Sequence, residues 1–384
     1  MKQITIEKAC ELVTDGTHYT PLDIGEGIPF LTVKDITSSG LNFERCSKIS
    51  IEEYQKADAG NSSPKIGDVL FSKDGTVGKV HVVKEDQQFA ILSSVAILRP
   101  QKNLLDSDYF GYVLKSKATI DQAVRKKTGS AIRRIILKDL KNVKIPLPPL
   151  EEQKRIAAIL DKSDRIRRKR QEAIQLTEEL ARSLFLDMFG DPVTNPKGWE
   201  VNKVIEHCDC IVPGRDKPKS FTGETPWITT ADLNFLQKTY YSRLNIGLSK
   251  EEIETVRAKI IPKGSVLLTC VGDLGITSIA GCDMVINQQL HSFQCRDFNN
   301  FFVMYALTFQ KSFMYKRATQ TTVPYINKTS CNSIPIICPP QKLQNKFSIL
   351  VSKINKQKII YKNALQESEN LFNSLLQRAF RGDL

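Results

Sequence analysis

The pattern of apolar and polar residues is clearest in two long segments, 150–189 and 341–380. In each, apolar side chains recur at alternating spacings of three and four residues, which is the period of a helix with one apolar stripe. A proline pair precedes each segment, and Gly190 and Pro192 follow the first, as is typical of helix boundaries. The pattern therefore predicts two helices of about 39 residues, each about 58 Å long.

The two helical segments are copies of each other. Aligned without a gap at an offset of 191, they share nine identical positions. The identical pairs are Gln153/Gln344, Lys162/Lys353, Ala173/Ala364, Gln175/Gln366, Glu178/Glu369, Leu180/Leu371, Ser183/Ser374, Leu184/Leu375 and Phe189/Phe380. A helix with a single apolar stripe needs a partner, and its own repeat is the nearest candidate. Because the second large unit begins where the first helix ends, we expect an antiparallel pair with the large units at opposite ends. The alternative is two unrelated bundle helices.

The segments that precede the helices are also related to each other. A Pro-aromatic-aliphatic-Thr run with an aspartate three residues later occurs at 29–35 and again at 226–232. A Gly-x-Val-Leu run followed by two spaced glycines occurs at 67–78 and at 264–275, at the same offset of 197. Strand-like runs at 69–71, 79–83 and 90–98 flank these glycines, while 108–117 and 301–311 have helical character.

These repeats predict an α+β chain with a pseudo-two-fold internal repeat. It contains two α/β domains of about 145 residues, joined by two long antiparallel helices that form a coiled-coil-like spacer. The predicted boundaries are 1–144 for the first domain and 145–195 for the first spacer. The second domain then covers 196–335 and the second spacer 336–384.

Charge adds a candidate partner to this picture. The formal net charge is +13, and the four predicted segments carry +4, 0, +4 and +5 in chain order. A positive balance in both domains suits a polyanion such as nucleic acid, although many basic proteins bind none.

Cysteine usage and hydropathy indicate the compartment. The nine cysteines are scattered irregularly, which favours reduced thiols. No apolar run is long enough to span a bilayer and no signal-peptide pattern follows Met1, so we expect a cytoplasmic protein. The only metal-like cluster is His207-Cys208-Asp209-Cys210. It lacks a second ligand pair, so partly buried thiols are favoured over zinc, and we predict no metal site.

Specific motifs resemble a known family. The run Ile-Pro-Leu-Pro-Pro-Leu-Glu-Glu-Gln at 145–153, the helix that follows it and the Phe-Gly-Asp-Pro at 189–192 resemble the conserved region of type I restriction–modification specificity (S) subunits. The Gly-Asp-Val-Leu at 67–70 and the Thr-Thr-Val-Pro-Tyr-Ile at 321–326 also resemble this family. Two departures stand out. The second copy reads Pro-Pro-Gln-Lys-Leu-Gln at 339–344, without the paired glutamates, and the first domain has Ser-Ala-Ile-Arg-Arg at 130–134 where the second has Thr-Thr-Val-Pro-Tyr.

The resemblance implies a DNA-reading scaffold and not a catalyst. Each domain would read one half of a bipartite asymmetric target in double-stranded DNA, and the helices would set the length of the unread spacer and dock methyltransferase subunits, of which two are expected. Restriction/translocase subunits would complete the complex. The resemblance implies no cofactor on this chain, because S-adenosylmethionine, ATP and Mg belong to the partner subunits.

The sequence also lacks complete catalytic motifs, in agreement with a non-catalytic chain. The Cys-Pro-Pro-Gln at 338–341 lacks the acid or amide and the aromatic residue of an amino-methyltransferase motif, and the Gly-rich run at 75–80 lacks phosphate-loop spacing. The Glu-x-Lys at 152–154 has no Pro-Asp upstream. No catalytic residue is predicted.

The best candidates for DNA contact are loop residues that can meet phosphates or base edges. In the first domain they are Lys73, Thr76, Lys79, Arg125, Lys126, Lys127, Ser130, Arg133 and Arg134. In the second they are Arg215, Lys217, Lys219, Thr269, Asp273, Lys316, Arg317, Gln320, Thr321, Thr322 and Tyr325. The clusters at 125–134 and 316–325 occupy equivalent places. The alternative is a solvated charged loop. The basic run at 165–170 could equally contact DNA backbone, face solvent or dock a partner.

Two other functions remain open at this point. One is a structural adaptor that gathers proteins without specific DNA readout. The other, a self-sufficient methyltransferase, would need a cofactor motif that the sequence lacks.

Overall fold

The structure is a computed structural model that describes residues 2–37, 40–124, 135–214, 216–319 and 322–384. The chain divides into two compact units, one formed by residues 1–171 and 363–384, the other by residues 172–362. The division cuts both long helices, so each unit contains one globular part and portions of both helices. The boundaries between recognition domains and spacers stay predictions.

The globular part of the first unit combines small sheets with short helices. Its elements are β1 (Gln3–Thr5), α1 (Ile6–Ala9), β2 (Cys10–Asp15), β3 (Ile28–Leu31), β4 (Ile36–Thr37), β5 (Gly40–Leu41), β6 (Ser47–Ile49), α2 (Ile51–Ala59), β7 (Val69–Ser72), β8 (Val80–Val82), β9 (Ala90–Ile91), β10 (Val95–Pro100), α3 (Ser107–Lys115), α4 (Lys117–Val124), α5 (Leu137–Lys141) and β11 (Lys144–Pro146). The main sheet has the order β2-β10-β7-β8, a smaller one has the order β6-β3-β9, and β1 pairs with β11.

The long helix α6 (Leu150–Phe189) leads into the second globular part. Its elements are β12 (Val201–Lys203), α7 (Val204–His207), β13 (Cys208–Ile211), β14 (Thr225–Ile228), β15 (Lys238–Thr239), β16 (Gly247–Leu248), α8 (Lys250–Thr255), β17 (Val266–Thr269), β18 (Thr277–Ala280), β19 (Val285–Ile286), β20 (Leu290–Cys295), α9 (Asn300–Phe309), α10 (Lys311–Arg317), α11 (Lys328–Asn332) and β21 (Pro335–Ile337), followed by the second long helix, α12 (Gln341–Arg381). The main sheet has the order β13-β20-β17-β18-β15, and β16-β14-β19 and β12-β21 form the smaller ones.

The predicted repeat is present in the structure. In the first unit the backbone N–H of Thr32 donates to the carboxylate of Asp35 at 2.7 Å, and in the second that of Thr229 donates to Asp232 at 2.8 Å. The sheet orders β2-β10-β7-β8 and β13-β20-β17-β18 correspond strand by strand. The α+β class and the duplicated architecture are confirmed.

One strand expectation is wrong in detail. The apolar run at 90–98 is divided between β9 and β10, because β9 pairs in parallel with β3 while β10 pairs with β2 and β7. Between them, the N–H of Leu92 donates to Leu31 and the N–H of Ser93 donates to Thr17. The chain therefore changes sheets within one apolar run, which periodicity cannot reveal.

Within the first unit, the start of α6 packs antiparallel to the end of α12. The Arg155 guanidinium donates to the carbonyl of Leu384 at 2.7 Å, and the Arg170 guanidinium contacts the Ala364 carbonyl and the Ser368 hydroxyl. Later residues of α6 therefore contact earlier residues at the C-terminal end of the chain, as in an antiparallel pair. The buried residues of this unit include Ile156 and Leu160 of α6 and Ala379 of α12, which join one core with Tyr109 and Phe110 of α3.

The same antiparallel arrangement holds within the second unit. The Lys358 ammonium lies 2.5 Å from the Glu178 carboxylate, and Phe347 meets Phe185 and Phe189 edge to face. Phe185 also stacks on α9, and this aromatic cluster holds the helices to the sheet of the unit. Not all residues of the predicted apolar stripe are buried by the packing of the helices. Ile166, Leu180 and Leu371 are exposed.

A buried glutamine joins each long helix to its globular part. The side-chain carbonyl of Gln153 accepts from the backbone N–H of Asp106, the N-cap of α3, at 2.9 Å. In the second unit, Gln344 accepts from the N–H of Asn299, the N-cap of α9, at 2.9 Å. Both side chains are almost completely buried, so the identity at these two positions has a structural cause.

Candidate nucleic-acid interface

The glycine loop that follows β17 in the second unit is fixed by a threonine hydroxyl. Thr269 Oγ1 accepts from the N–H of Ile276 at 3.0 Å and donates to the carbonyl of Asp273 at 2.6 Å. Gly272 and Gly275 adopt φ values of 78° and 84°, where a side chain would be strained. A Cβ on Gly275 would also meet Lys311 at 2.7 Å. The loop therefore has one defined shape.

The first unit builds the same loop from a serine. Ser72 Oγ accepts from the N–H of Lys79 at 2.7 Å and donates to the carbonyl of Thr76 at 2.6 Å. Gly75 and Gly78 have φ values of 65° and 91°. The predicted contact residues Thr76 and Asp273 thus lie at equivalent tips, both exposed, on loops with matching backbone hydrogen bonds.

Removal of the Thr269 hydroxyl tests how strongly this loop is fixed. We expect Thr269→Val to lower the free energy of unfolding of the second unit by about 1–3 kcal/mol, since the N–H of Ile276 loses the partner that the buried Thr269 hydroxyl provides. Both tryptophans of the chain, Trp199 and Trp227, lie in this unit, so tryptophan fluorescence during denaturant unfolding reports on it. The exposed Thr329 provides the control, because Thr329→Val should change stability by about 0.5 kcal/mol or less. Equal stability of the two variants would contradict this role of Thr269.

A second loop lies against the glycine loop in the second unit. In the second unit, the N–H of Gly272 donates to the carbonyl of Pro324 at 2.9 Å, and that of Ile326 donates to Cys270 at 3.0 Å. In the first unit, the N–H of Ile135 donates to the carbonyl of Lys73 at 2.8 Å in the equivalent place. In the second unit, the described residues of the two candidate regions named from the sequence therefore form one surface. Tyr325 lies on it with 42% of its surface exposed.

Helix α10 adds positive charge to this surface in the second unit. Lys316 and Arg317 are exposed at its end, and the Arg317 guanidinium lies 4.5 Å above the ring of Phe313. The hydroxyl of Tyr315 accepts from the N–H of Leu274 at 3.3 Å, which fixes the helix to the glycine loop. Thr322 is also exposed. Cationic and hydroxyl groups of this kind can bind phosphates and base edges.

Residues 287–289 are a part of this surface that sequence reasoning missed. The carbonyl of Gln289 accepts from the N–H of Cys270 at 2.9 Å, and the side-chain amide of Gln288 donates to the carbonyl of Gly214 at 3.1 Å. Gln289 is exposed, and glutamine and asparagine can read adenine edges. The signal was an Asn-Gln-Gln turn between two apolar strands. Lys217 and Lys219, which follow Gly214, are exposed.

Several predicted contact residues bond to other groups of the protein. Lys73 is 4% exposed and its ammonium lies 2.6 Å from the Asp15 carboxylate. The ammonium of Lys79 donates to the carbonyls of Val33 and Ile36 at 2.9 and 2.7 Å, and Thr269 is buried. Asp273 is exposed but forms an ion pair with Lys311 at 3.0 Å. For the buried and bonded side chains, the structure supplies a structural role, and DNA contact by these residues stays a prediction.

The remaining predicted residues lie outside the described part of the chain. They are Arg125, Lys126, Lys127, Ser130, Arg133, Arg134, Arg215, Gln320 and Thr321. Their contact with DNA stays a prediction.

The basic run on α6 is engaged with neighbouring acids. Arg165 pairs with Asp161 at 2.8 Å, and Arg167 and Arg168 both pair with Asp164, at 2.7 and 3.2 Å. These pairs explain the run as part of the helix surface without requiring DNA.

The His207–Cys210 segment places its side chains apart. His207 Nδ1 lies 2.9 Å from the Asp297 carboxylate, Cys208 faces Cys295, and Cys210 lies near His291. Within the residues that the structure describes, no three His, Cys, Asp or Glu side chains are grouped as metal ligands.

Comparison with known proteins identifies this architecture. Residues 10–178 and 196–369 each match the family model described as "Type I restriction modification DNA specificity domain". The chain belongs to this family. As a family member with two DNA specificity domains, it is a DNA target-recognition subunit of a type I restriction–modification system, and the adaptor alternative is not favoured.

Similar sequences carry the same description. A putative type I restriction enzyme specificity subunit of Methanocaldococcus jannaschii, MjaX, is 25% identical over 342 residues, which cover 84% of this chain and 79% of that protein. The MjaIX specificity subunit of the same organism is 21% identical over 388 residues, covering 94% of this chain and 87% of the relative.

Similar solved structures support the specificity-subunit fold. The type I restriction–modification S subunit from M. genitalium superposes with a TM-score of 0.60 at 15% identity, over 99% of this chain and 96% of that one. A chain from a structural study of type I restriction–modification complex assembly has a TM-score of 0.54 at 20% identity, over 100% and 98%. Separately, no described helix is both long and apolar enough to cross a membrane.

Proposed function

We propose that each specificity domain reads one half of a bipartite, asymmetric DNA target. The observation that carries this proposal is the duplicated glycine loop, which carries different side chains in the two units. The hydroxyl of Ser72 or Thr269 fixes the same backbone in both units, while Thr76 in one copy corresponds to Asp273 in the other. A common scaffold with unlike groups at its tip is what two different half-sites require.

The two long helices set the length of the unread spacer and dock methyltransferase subunits. Their antiparallel pairing in each unit supports the first role. The second role is supported by large apolar side chains that stand exposed on both helices, where a partner would cover them. They are Ile166, Leu176 and Leu180 on α6 and Ile349, Ile359, Ile360 and Leu371 on α12.

The chain itself catalyses no reaction in this proposal. Two methyltransferase subunits supply S-adenosylmethionine chemistry, and restriction/translocase subunits supply ATP- and Mg-dependent steps. The support is the family membership together with a sequence that lacks the corresponding motifs.

The salt dependence of DNA binding tests the proposed surface. A mixed-sequence DNA duplex should bind the full chain with an affinity that falls steeply as salt rises, because bound cations are released from phosphates. Replacement of both Lys316 and Arg317 by alanine should reduce the slope of log affinity against log salt by up to about 1.8, at about 0.9 per phosphate contact. Lys250→Ala, at the exposed start of α8, is the matched control and should leave the slope unchanged. An unchanged slope in the double variant would remove α10 from the interface.

A further inference from the structure

Two cysteines face each other across neighbouring strands of the second unit. In the antiparallel pairing of β13 with β20, Cys208 is directly opposite Cys295, and their Sγ atoms lie 3.6 Å apart. Both are free thiols. The separation is a van der Waals contact that a small side-chain rotation can turn into a bond.

The position within the ladder favours a cross-link. The N–H of Arg296 donates to the carbonyl of His207 at 3.0 Å, which makes 207 and 296 a hydrogen-bonded pair. Pairs alternate along an antiparallel ladder, so Cys208 and Cys295 form a non-hydrogen-bonded pair, where Cα atoms approach to about 4.5 Å. Disulfides span Cα separations of about 4.4–6.8 Å, and this pair therefore fits without strand movement.

The two thiols differ in their access to solvent. Cys295 is only partly buried, at the end of β20, whereas Cys208 has no exposed surface. The hydrogen bond to Cys295, together with burial, raises the pKa of the Cys208 thiol. An oxidant therefore reaches Cys295 first, and Cys208 is the residue positioned to react with the oxidised sulfur.

We propose that Cys208 and Cys295 form a reversible disulfide under peroxide, which makes this strand pair a redox modification site that cross-links β13 to β20 in the second unit.

The reaction balances with a peroxide as the oxidant. The Cys295 thiolate attacks hydrogen peroxide, the O–O bond breaks, and sulfenic acid and water result after uptake of one proton. The Cys208 sulfur then attacks the sulfenic sulfur, so that the S–S bond forms and the S–O bond breaks, and the thiol proton leaves with the hydroxide as a second water. Two thiols lose two electrons in total, and one peroxide accepts them.

The first unit contains a natural comparison. Cys10 begins β2 as Cys208 begins β13, but its ladder partner in β10 is Pro100. Burial and the nearby Asp68 raise the pKa of Cys10 to about 12. With a proline and not a thiol opposite, Cys10 has no partner for a cross-link under the same treatment.

Mass spectrometry of the full chain after mild peroxide treatment tests the proposal. We expect one cross-linked peptide pair that contains Cys208 and Cys295, lighter by two hydrogen atoms than the reduced peptides and released by dithiothreitol. The oxidised chain should unfold about 5–10 °C higher by tryptophan fluorescence, since a disulfide limits the unfolded ensemble. Persistence of both thiols, their conversion only to sulfinic or sulfonic acids, or pairing of either cysteine with Cys338 would overturn the assignment.

Variants separate this bond from general oxidation. Cys295→Ser changes a partly exposed position and should abolish both the cross-link and the thermal shift, as should Cys208→Ser. Cys10→Ser is the matched control and should retain both. If Cys208→Ser does not fold, the comparison of Cys295→Ser with Cys10→Ser still decides the result. A thermal shift that survives in Cys295→Ser would contradict the proposal.

Discussion

Replacement of Gln153 by alanine is expected to lower the free energy of opening of the joint between α6 and α3 by about 3 kcal/mol. The side chain makes three hydrogen bonds, accepting from the N–H of Asp106 at 2.9 Å and donating to Leu104 at 3.0 Å and Pro148 at 2.9 Å. Alanine leaves these three backbone groups without the partners that the buried Gln153 side chain provides, and each such loss costs about 1–3 kcal/mol before relaxation and water entry. Amide hydrogen exchange at Asp106 and in α3 measures the effect, with rates expected to rise about 100-fold.

Two further variants separate hydrogen bonding from packing. Gln153→Met keeps most of the volume and should lose nearly as much stability as Gln153→Ala, because the hydrogen bonds dominate. Gln344→Ala should cost less, about 2 kcal/mol, since Gln344 bonds to Asn299 and to Pro339. The exposed Gln366 on α12 bonds only along its own helix, to Asn370, and Gln366→Ala should change stability by about 0.5 kcal/mol or less.

The exchange of residues 196–335 for the matching domain of another family member should change one half of the DNA target completely. The other half should persist, because the loop surface of the first unit is built from its own residues. Ser72 fixes the glycine loop there, and Ile135 closes against Lys73, all within 1–144. The exchange boundaries fall outside both long helices, so the antiparallel pairing and the spacer length should also persist. A matched control is re-insertion of the native segment through the same junctions.

Local sequence patterns predicted the two long helices and the glycine loops, because neighbouring residues determine these elements. The stripe of α6 and α12 follows helical spacing, and both helices begin and end within one residue of the predicted bounds. The spaced glycines marked the loops at 75–78 and 272–275 because a left-handed backbone favours glycine.

Features that depend on long-range pairing were not predictable in the same way. Lys73 looked like an exposed loop cation, but Asp15 on β2 lies beside it in the folded unit and neutralises it. Thr269 was predicted to be a loop residue that contacts DNA, but it is the buried last residue of β17, and its hydroxyl bonds the loop that follows. Gln289 was missed because it joins the candidate interface only through the long-range hydrogen bond between its carbonyl and the N–H of Cys270.

The shared glutamines show most clearly what sequence patterns alone do not predict. The alignment identified Gln153 and Gln344 as identical, and the spacing placed both on the first turn of a helix. Their partners, Asp106 and Asn299, precede them by 47 and 45 residues, and no periodicity relates them. The repeat therefore identified the two glutamines, but only the folded structure shows the hydrogen bonds that they form.

Genome-wide mapping of methylated bases shows whether each domain of this chain reads its own half of a bipartite target. It compares cells that express the native chain with its methyltransferase subunits and cells that express the chain with residues 196–335 exchanged. For the native chain, we expect a single bipartite motif with an unspecified gap. For the exchanged chain, we expect a motif with one half altered and with the other half and the gap length retained. A continuous motif, or a change in both halves after exchange of one domain, would show that the two domains do not read separate half-sites.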